Sequence, residues 1–241
     1  MKHYRNYIFD LYGTLADIRT DENSPVLWRK TAFWYAQHGA LYTGGQLWRR
    51  YLALCEAEQA KHDDPFYEIE LRNVFRTLFA EKNVPADEDL IRSTAIFFRI
   101  ESTRKLRLYP WVMPTLRKLR AAGKRLYLLS NAQACFTGPE LKALGLADLF
   151  DGILLSSDAG VKKPSLQIME TLLATYDLRA EESLFTGNDQ HSDIALAKAC
   201  AMDCLYLETE TSGTYKPSLT ATYELRRGEE KKIPAFFEAG M

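Results

Sequence analysis

The fold of this chain is decided by one stretch, Tyr7-Ile8-Phe9-Asp10-Leu11-Tyr12-Gly13-Thr14-Leu15. A short apolar run, typical of a buried strand, ends in an acid, and a glycine that can turn the chain follows soon after. We predict a strand over residues 4–10, which places the carboxylate of Asp10 at the C-terminal end of that strand. Open α/β sheets bind their ligands at this edge. Asp10 is therefore the first candidate for a reactive side chain.

Beyond Tyr109-Pro110 the sequence alternates between strand-like apolar runs and helix-like amphipathic stretches. The predicted strands cover residues 125–130, 152–156, 184–186, 204–207 and 221–225, and the predicted helices cover residues 112–122, 138–144, 164–176, 192–201 and 233–239. Such alternation predicts an α/β fold with a Rossmann-like, mostly parallel sheet and helices on both of its faces.

A helical pattern interrupts this alternation after the first strand. Its amphipathic segments cover residues 25–38, 44–61, 66–82 and 87–104. Their aromatic residues recur at helical spacing, and we interpret them as the interior of a small helical bundle. We therefore predict a core made of residues 1–18 and 106–241, with an α-helical bundle of residues 19–105 inserted into it.

The composition limits the partners that this chain can have. Its 31 basic and 32 acidic residues give a net charge of −1, so we expect neither nucleic acid nor an anionic membrane as a partner. No apolar run approaches the roughly 20 residues that a membrane-spanning helix needs. The N-terminal residues lead directly into the first strand and the four cysteines form no C-x-x-C pair. We expect a cytoplasmic protein without a signal peptide or disulfides.

Four short motifs lie at the ends of predicted strands. In chain order they are Asp10 with its glycine turn, Ser130-Asn131, Lys163-Pro164 and the segment 187–193. Each motif alone is weak, but the ordered set is specific. Together they resemble the four motifs of the haloacid dehalogenase (HAD) superfamily of aspartate-nucleophile hydrolases. The helical insertion is similar in position and size to the α-helical cap of many members.

The resemblance implies a role for the first two motifs. Asp10 would attack a small-molecule substrate and form a covalent ester that water then hydrolyses. Thr14 and Ser130 would offer hydroxyl groups, and Asn131 an amide, to hold the transferring group or to orient Asp10. A carboxylate suits this role because it needs no deprotonation at neutral pH.

The resemblance also assigns charges to the last two motifs. Lys163 would bring positive charge to the nucleophile, although the adjacent Lys162 is a competing candidate. Asp193 is expected to orient Lys163 or its own loop. The expected cofactor is Mg²⁺, bound by oxygen atoms of Asp10, the Tyr12 backbone carbonyl, and either Asn188 or Asp189.

Tyr12 is the main departure from the superfamily pattern, which is usually D-x-D-G-T. In HAD phosphatases the second acid protonates the leaving alkoxide and later activates water. A phenol with an ordinary pKa near 10 is a poor substitute. The reactions that remain are those whose leaving group needs no proton, namely halide displacement from a 2-haloacid or hydrolysis of acyl and other activated phosphates.

The first motif in fact resembles the L-2-haloacid dehalogenase branch, which carries tyrosine at this place. Arg29, within Leu27-Trp28-Arg29, is similar to the cap arginine that meets the substrate in that branch. Two features differ from the branch. Met169 stands where the branch has a tyrosine, and Asp189 is retained where the branch lacks an acidic metal ligand.

The sequence therefore predicts a HAD-like hydrolase whose substrate is enclosed beneath the cap. We favour a Mg²⁺-dependent phosphatase of a small phosphorylated metabolite, because the fourth motif keeps acids at metal-binding spacing. The first alternative is a metal-independent 2-haloacid dehalogenase. The second is a binding or regulatory protein that kept the pocket but turns over slowly.

Overall fold

The computed structural model of this protein describes residues 2–241 and builds them around a six-stranded sheet. The strands, in chain order, are β1 (Asn6–Phe9), β2 (Ala16–Thr20), β3 (Thr103–Leu108), β4 (Arg125–Ser130), β5 (Gly152–Leu155), β6 (Ser183–Gly187), β7 (Asp203–Leu207) and β8 (Tyr223–Leu225). The large sheet has the order β5-β4-β1-β6-β7-β8, and all its neighbouring strands are parallel. The predicted parallel sheet is thus confirmed.

Helices cover both faces of this sheet. The α-helices, in chain order, are α1 (Pro25–Gln37), α2 (Gly44–Gln59), α3 (Leu71–Ala80), α4 (Glu88–Ser102), α5 (Val112–Ala121), α6 (Ala134–Ala143), α7 (Ser156–Ala159), α8 (Leu166–Thr175), α9 (Ala195–Ala199) and α10 (Ile233–Ala239). Side chains of β1 alternate between the faces, as a strand requires. Tyr7 and Phe9 pack in one apolar cluster with residues of α5 and α10, and Ile8 packs in another with residues of α8. No helix of residues 2–241 is long and apolar enough to cross a membrane.

The turn after β1 fixes Asp10 at the edge of the sheet. The backbone N–H of Asp10 still donates to the Thr186 carbonyl of β6, at 2.9 Å. The chain then turns at Gly13, whose φ of +86° favours glycine. A Cβ atom at Gly13 would lie 2.3 Å from Thr211 Oγ1 and 2.5 Å from Asn188 Nδ2. Glycine is therefore required here both by the backbone conformation and by the close approach of the fourth motif.

Helices α1–α4 enclose an apolar cluster of their own, which includes the fully buried Tyr35, Phe79 and Phe98. Burying side chains of this size contributes roughly 2–3 kcal/mol each to folding. Phe136 of α6 also belongs to this cluster, so α6 is the surface on which the helical unit rests. The division into residues 1–18 and 106–241 against 19–105 stays a prediction. Both of its boundaries fall inside the two-stranded antiparallel sheet β2–β3.

The predicted extents of several elements were wrong, most clearly those of three helices. The helix expected over 66–82 begins at Leu71, because the backbone before it pairs with residues 160–162: the backbone N–H of Lys162 donates to the Phe66 carbonyl at 2.6 Å. The helix expected over 87–104 ends at Ser102, where β3 begins. The helix expected over 138–144 begins at Ala134 and continues through Pro139, at the loss of one helical N–H donor.

Candidate active site

Asp10 is buried at the C-terminal end of β1 and held by three side chains from different parts of the chain. Its Oδ1 accepts hydrogen bonds from Ser130 Oγ at 2.9 Å and from Lys163 Nζ at 2.7 Å. Its Oδ2 accepts one from Thr14 Oγ1 at 3.0 Å. Charge-assisted bonds of this kind fix a carboxylate more firmly than neutral ones. The geometry thus gives Asp10 one orientation.

Lys163 lies between two carboxylates and is itself buried. Its Nζ is 2.7 Å from Asp10 Oδ1 and 2.7 Å from Asp193 Oδ1, and the exposed fractions of the three side chains are 2% for Lys163, 7% for Asp10 and 1% for Asp193. Burial alone lowers the pKa of Lys163, but the two carboxylates outweigh it and the net pKa is raised. Lys163 is therefore charged. The neighbouring Lys162 is only half-buried.

Asp193 holds the fourth-motif loop as well as Lys163. Its Oδ2 accepts from the backbone N–H groups of Asn188 and Asp189, at 3.1 and 3.0 Å. Burial raises the pKa of Asp193 to about 6, against the opposing effect of Lys163. A Cβ atom at Gly187 would lie 2.3 Å from Asp193 Oδ2, so glycine is needed where the carboxylate folds back on the loop.

Asn188 and Asp189 face different partners. Asn188 is buried, and its Oδ1 lies 3.1 Å from Thr14 Oγ1, next to Asp10. Asp189 is exposed, and its Oδ1 accepts from the backbone N–H of His191 at 2.7 Å, as a helix N-cap does. Of these two candidate metal ligands, it is Asn188 that lies close to the nucleophile.

The oxygens around Thr14 are of the type that a hard cation binds. A hydroxyl has one hydrogen, yet Thr14 Oγ1 lies within hydrogen-bond distance of both Asp10 Oδ2 and Asn188 Oδ1. One of the two oxygens therefore has no proton from Thr14 at any moment. Among residues 2–241 no cluster of three or more His, Cys, Asp or Glu side chains could hold a metal. The donor set fits Mg²⁺, which commonly takes one or two carboxylates, carbonyl oxygens, waters and substrate phosphate.

Asn131 contacts the Lys163 segment rather than Asp10. Its Nδ2 donates to the Lys163 carbonyl at 3.1 Å, and its Oδ1 accepts from the Lys163 backbone N–H at 2.7 Å. This two-way amide pairing satisfies the backbone on both sides and holds the lysine segment next to β4. Asn131 also lines the cavity around Asp10, and its expected role in holding the transferring group or orienting Asp10 stays a prediction.

The Tyr12 hydroxyl makes its hydrogen bonds to residues of α6. It donates to the carboxylate of Glu140 and lies 2.9 Å from Thr137 Oγ1. Burial, with Glu140 adding to it, raises the pKa of Tyr12 well above its ordinary value. The phenol is therefore protonated at neutral pH, and its proton is engaged by Glu140.

Arg99 and Glu140 form a buried ion pair that the sequence analysis did not identify. Arg99 Nε lies 2.6 Å from Glu140 Oε1, with side chains 13% and 9% exposed. Both residues lie in predicted helices, where a charged residue ordinarily indicates a solvated face. The substrate contact expected of Arg29 stays a prediction: Arg29 is exposed on α1, and Arg99 is the arginine that lines the cavity beside Tyr12.

Two cavities meet at Tyr12 and Asn131. The smaller one, of 220 Å³, surrounds Asp10, Lys163 and Asn188. The larger one, of 430 Å³, lies between the helical unit and the sheet, and Tyr12 and Asn131 line both. A molecule whose reactive group reaches Asp10 thus has space for its remainder in the larger cavity.

Comparison with known proteins identifies the family of this chain. The family model described as haloacid dehalogenase-like hydrolase matches residues 4–201. A phosphoglycolate phosphatase of Yersinia pseudotuberculosis is 39% identical over 100 residues, which span 42% of this chain and only 43% of that relative. A phosphoserine phosphatase of Thermus thermophilus is 26% identical over 219 residues, 89% of this chain and 83% of the relative.

The structure of a 2-haloacid dehalogenase from Pseudomonas syringae pv. Tomato DC3000 has the same fold. It superimposes with a TM-score of 0.66 and 20% identity, covering 100% of both chains. At 20% identity this similarity shows a shared fold and not a shared function. The family match, which extends over most of the chain and includes Asp10, Ser130 and Lys163, carries more weight. This chain belongs to the haloacid dehalogenase-like hydrolase family.

Proposed function

We propose that this protein is a Mg²⁺-dependent phosphatase of a small phosphorylated metabolite and that Asp10 is its nucleophile. The observation that carries the proposal is the convergence of Asp10 Oδ2 and Asn188 Oδ1 on the single proton of Thr14. Because Thr14 can donate to only one of these two oxygens at a time, the other oxygen can bind a cation beside the nucleophile. The phosphatase names of the relatives from Yersinia pseudotuberculosis and Thermus thermophilus support the same reading.

The charges near Asp10 give a second reason to expect a cation. The carboxylates of Asp10 and Asp193 and the ammonium of Lys163 sum to a formal charge of −1. A phosphate dianion would be repelled by this set. Mg²⁺ held by Asp10, the Tyr12 carbonyl and Asn188 would supply the missing positive charge and polarise the phosphoryl oxygens.

The chain's own residues account for the remaining chemistry. A carboxylate oxygen of Asp10 forms a bond to phosphorus while the bond from phosphorus to the leaving oxygen breaks. Ser130 and Lys163 hold Asp10 for this attack, and Lys163 stabilises the negative charge that develops. Water then attacks phosphorus, restoring the carboxylate and releasing inorganic phosphate.

The leaving group receives no proton from Tyr12 in this proposal. The phenol donates to Glu140 and its pKa is raised, so it does not replace the missing second acid of the first motif. The leaving oxygen must be stable without that proton or must take one from water or from the substrate itself. Activated phosphates should therefore be better substrates than simple alkyl phosphates.

We also propose that residues 19–105 act as a cap over the substrate. Tyr51 and Cys55 of α2 and Arg99 of α4 line the 430 Å³ cavity together with Tyr12 of the core. A substrate whose phosphate reaches Asp10 would then be enclosed between the two parts. Exclusion of water would strengthen the electrostatic contacts at Asp10.

The proposal is tested by phosphate release from a panel of small phosphomonoesters and acyl phosphates. We expect release that requires Mg²⁺, stops on addition of EDTA, and is lost in Asp10→Asn. Release that persists in EDTA would contradict the metal assignment.

A metal-independent 2-haloacid dehalogenase is the second candidate, favoured by the protonated Tyr12, because a halide leaves without a proton. The substrate carboxylate would then need a cation, yet Arg29 is exposed and Arg99 is bound to Glu140. Chloride release from 2-chloropropionate without added metal would establish this function and overturn the first. Failure of both assays, together with saturable ligand binding, would support a binding or regulatory protein.

A further inference from the structure

The 430 Å³ cavity has a charge pattern that limits what the non-reacting end of a substrate can carry. Its charged lining residues are Glu22, Glu68 and Arg99, which sum to a formal charge of −1. Two charged groups lie just behind them. Glu140 contacts Arg99, and Lys162 faces Glu68, so their charges cancel and the sum is unchanged.

Arg99 is the single cation among the residues described as lining this cavity, and it is already neutralised. Its Nε donates to Glu140 Oε1 at 2.6 Å, and Tyr12 binds the same carboxylate from the other side. Arg99 Nη1 in turn lies 4.0 Å from Glu22 Oε1, so carboxylates lie on both sides of the guanidinium. Arg99, Glu140 and Glu22 together carry a formal charge of −1. A carboxylate or second phosphate on the substrate would therefore add to an existing excess of negative charge.

The carboxylate of Glu22, in contrast, is available to bind a cation. Its backbone is fixed, because its carbonyl accepts from Trp28 Nε1 at 2.7 Å. Its carboxylate has one ion pair among residues 2–241, with Arg99 Nη1 at 4.0 Å, and its side chain is 43% exposed. Partial burial raises the pKa of Glu22 above its ordinary value, against the effect of Arg99. A cation entering the cavity would relieve this unfavourable burial.

Glu68 is the second acidic residue in the wall of the 430 Å³ cavity. It accepts from Ser156 Oγ at 2.6 Å and from Gln133 Nε2 at 3.1 Å, which fixes the position of its carboxylate. The described residues contain no cluster of three or more metal-ligating side chains, so these carboxylates do not form a metal site of the usual kind.

We infer, on the basis of the proposed phosphatase function, that the substrate is a phosphomonoester whose far end carries an ammonium group. Its phosphate occupies the cavity around Asp10, and its ammonium group lies in the 430 Å³ cavity, whose wall carries Glu22 and Glu68. An acidic cavity wall selects among substrates because it attracts an ammonium group and repels a carboxylate. Phosphomonoesters that carry a carboxylate at the same position are excluded.

The test compares three esters of similar length: 3-aminopropyl phosphate, the uncharged propyl phosphate, and the anionic 2-carboxyethyl phosphate. The activated ester p-nitrophenyl phosphate serves as a reference for turnover. We expect kcat/KM to be at least about tenfold higher for the amino ester than for the carboxylate ester. In Glu22→Gln the amino ester should lose about fivefold in kcat/KM, while propyl phosphate changes by less than about twofold.

Two further variants separate charge recognition from a structural effect. Glu68→Gln should show the same selective loss, with a smaller amplitude because Lys162 already offsets this charge. Glu81→Gln removes an equal charge from the helical unit, where Glu81 pairs with Arg50 on the surface and does not line the cavity. It should leave all the kcat/KM ratios unchanged.

The outcomes distinguish this inference from the function on which it rests. Equal losses for the amino and propyl esters in Glu22→Gln, or a preference for the carboxylate ester, would overturn the inference while p-nitrophenyl phosphate is still hydrolysed. Hydrolysis of p-nitrophenyl phosphate with none of the amino ester would also overturn the inference. If no phosphate is released from any of the four esters, the phosphatase function itself is wrong.

Discussion

Replacing Lys163 by methionine is the sharpest test of how the site is assembled. Lys163 Nζ lies 2.7 Å from both Asp10 and Asp193, and none of the three side chains is more than 7% exposed. The variant fills most of the same volume but leaves two carboxylates buried side by side. Removing one partner of a buried ion pair costs about 3–5 kcal/mol of unfolding free energy. We expect a loss of that size at pH 8.

The loss should depend on pH in a defined direction. In the native protein burial already raises the pKa of Asp193 to about 6, above its ordinary value in an unfolded chain. Without Lys163 that pKa rises further, so the folded variant binds a proton more tightly than the unfolded variant. The stability gained from that proton is full at low pH and is lost as pH rises through the folded pKa. The deficit of the variant should therefore be smaller at pH 5 than at pH 8.

Urea unfolding followed by circular dichroism measures both effects. Lys162→Met is the matched control, because this lysine is half-buried and does not contact Asp10, and it should lose less than about 1 kcal/mol. Adding Asp193→Asn to Lys163→Met should recover about 1–3 kcal/mol by removing one of the two facing charges. A loss in Lys163→Met below about 1 kcal/mol, equal at both pH values, would refute the buried triad.

Three further predictions concern the loop, the metal and the Tyr12 contact. Gly187→Ala forces a Cβ atom against the Asp193 carboxylate and should cost about 1–3 kcal/mol of unfolding free energy in urea. The control Gly138→Ala places its Cβ atom in open space and should not destabilise the protein. Equal effects of the two substitutions would contradict the close approach of Gly187 and Asp193. Asn188→Asp adds a negative charge beside Asp10 and should lower the Mg²⁺ concentration for half-maximal phosphate release by about tenfold. An unchanged Mg²⁺ dependence would show that Asn188 does not bind the metal. Glu140→Ala removes the closer of the two carboxylates that pair with the mostly buried Arg99 and leaves only Glu22, at 4.0 Å. It should cost about 3 kcal/mol in thermal or urea unfolding, and a loss under about 1 kcal/mol would mean that the pair is solvated.

The sequence was sufficient to predict the elements whose signal is local. The strand before Asp10 and the alternating strands and helices after Tyr109 are signalled by patterns that extend over only a few residues. The structure has these elements in the expected order. Local signals failed where the partner lies far along the chain. Residues 66–69 contain no break before the helical pattern, yet their backbone pairs with residues 160–162 and cannot start a helix.

The side-chain partners of the site were less predictable than its backbone. Asp10 and Lys163 were placed by their motifs, but Arg99 and Glu140 look like surface charges in a single sequence. They become a buried pair only when α4 packs against α6, which no local pattern reveals. Arg29 was chosen from the family resemblance, because the sequence pattern could not rank it against Arg99. An arginine on an amphipathic helix gives no sign of whether it faces a cavity or the solvent.

The most direct test of the central claim is to quench the enzyme during turnover of a phosphomonoester with Mg²⁺ and to determine the mass of the peptide that contains Asp10. The account predicts a peptide heavier by one phosphoryl group, modified at Asp10, and absent from Asp10→Asn and from samples quenched after EDTA. Turnover with no modified peptide at any quench time, or a phosphoryl group on another residue, would contradict Asp10 as the nucleophile.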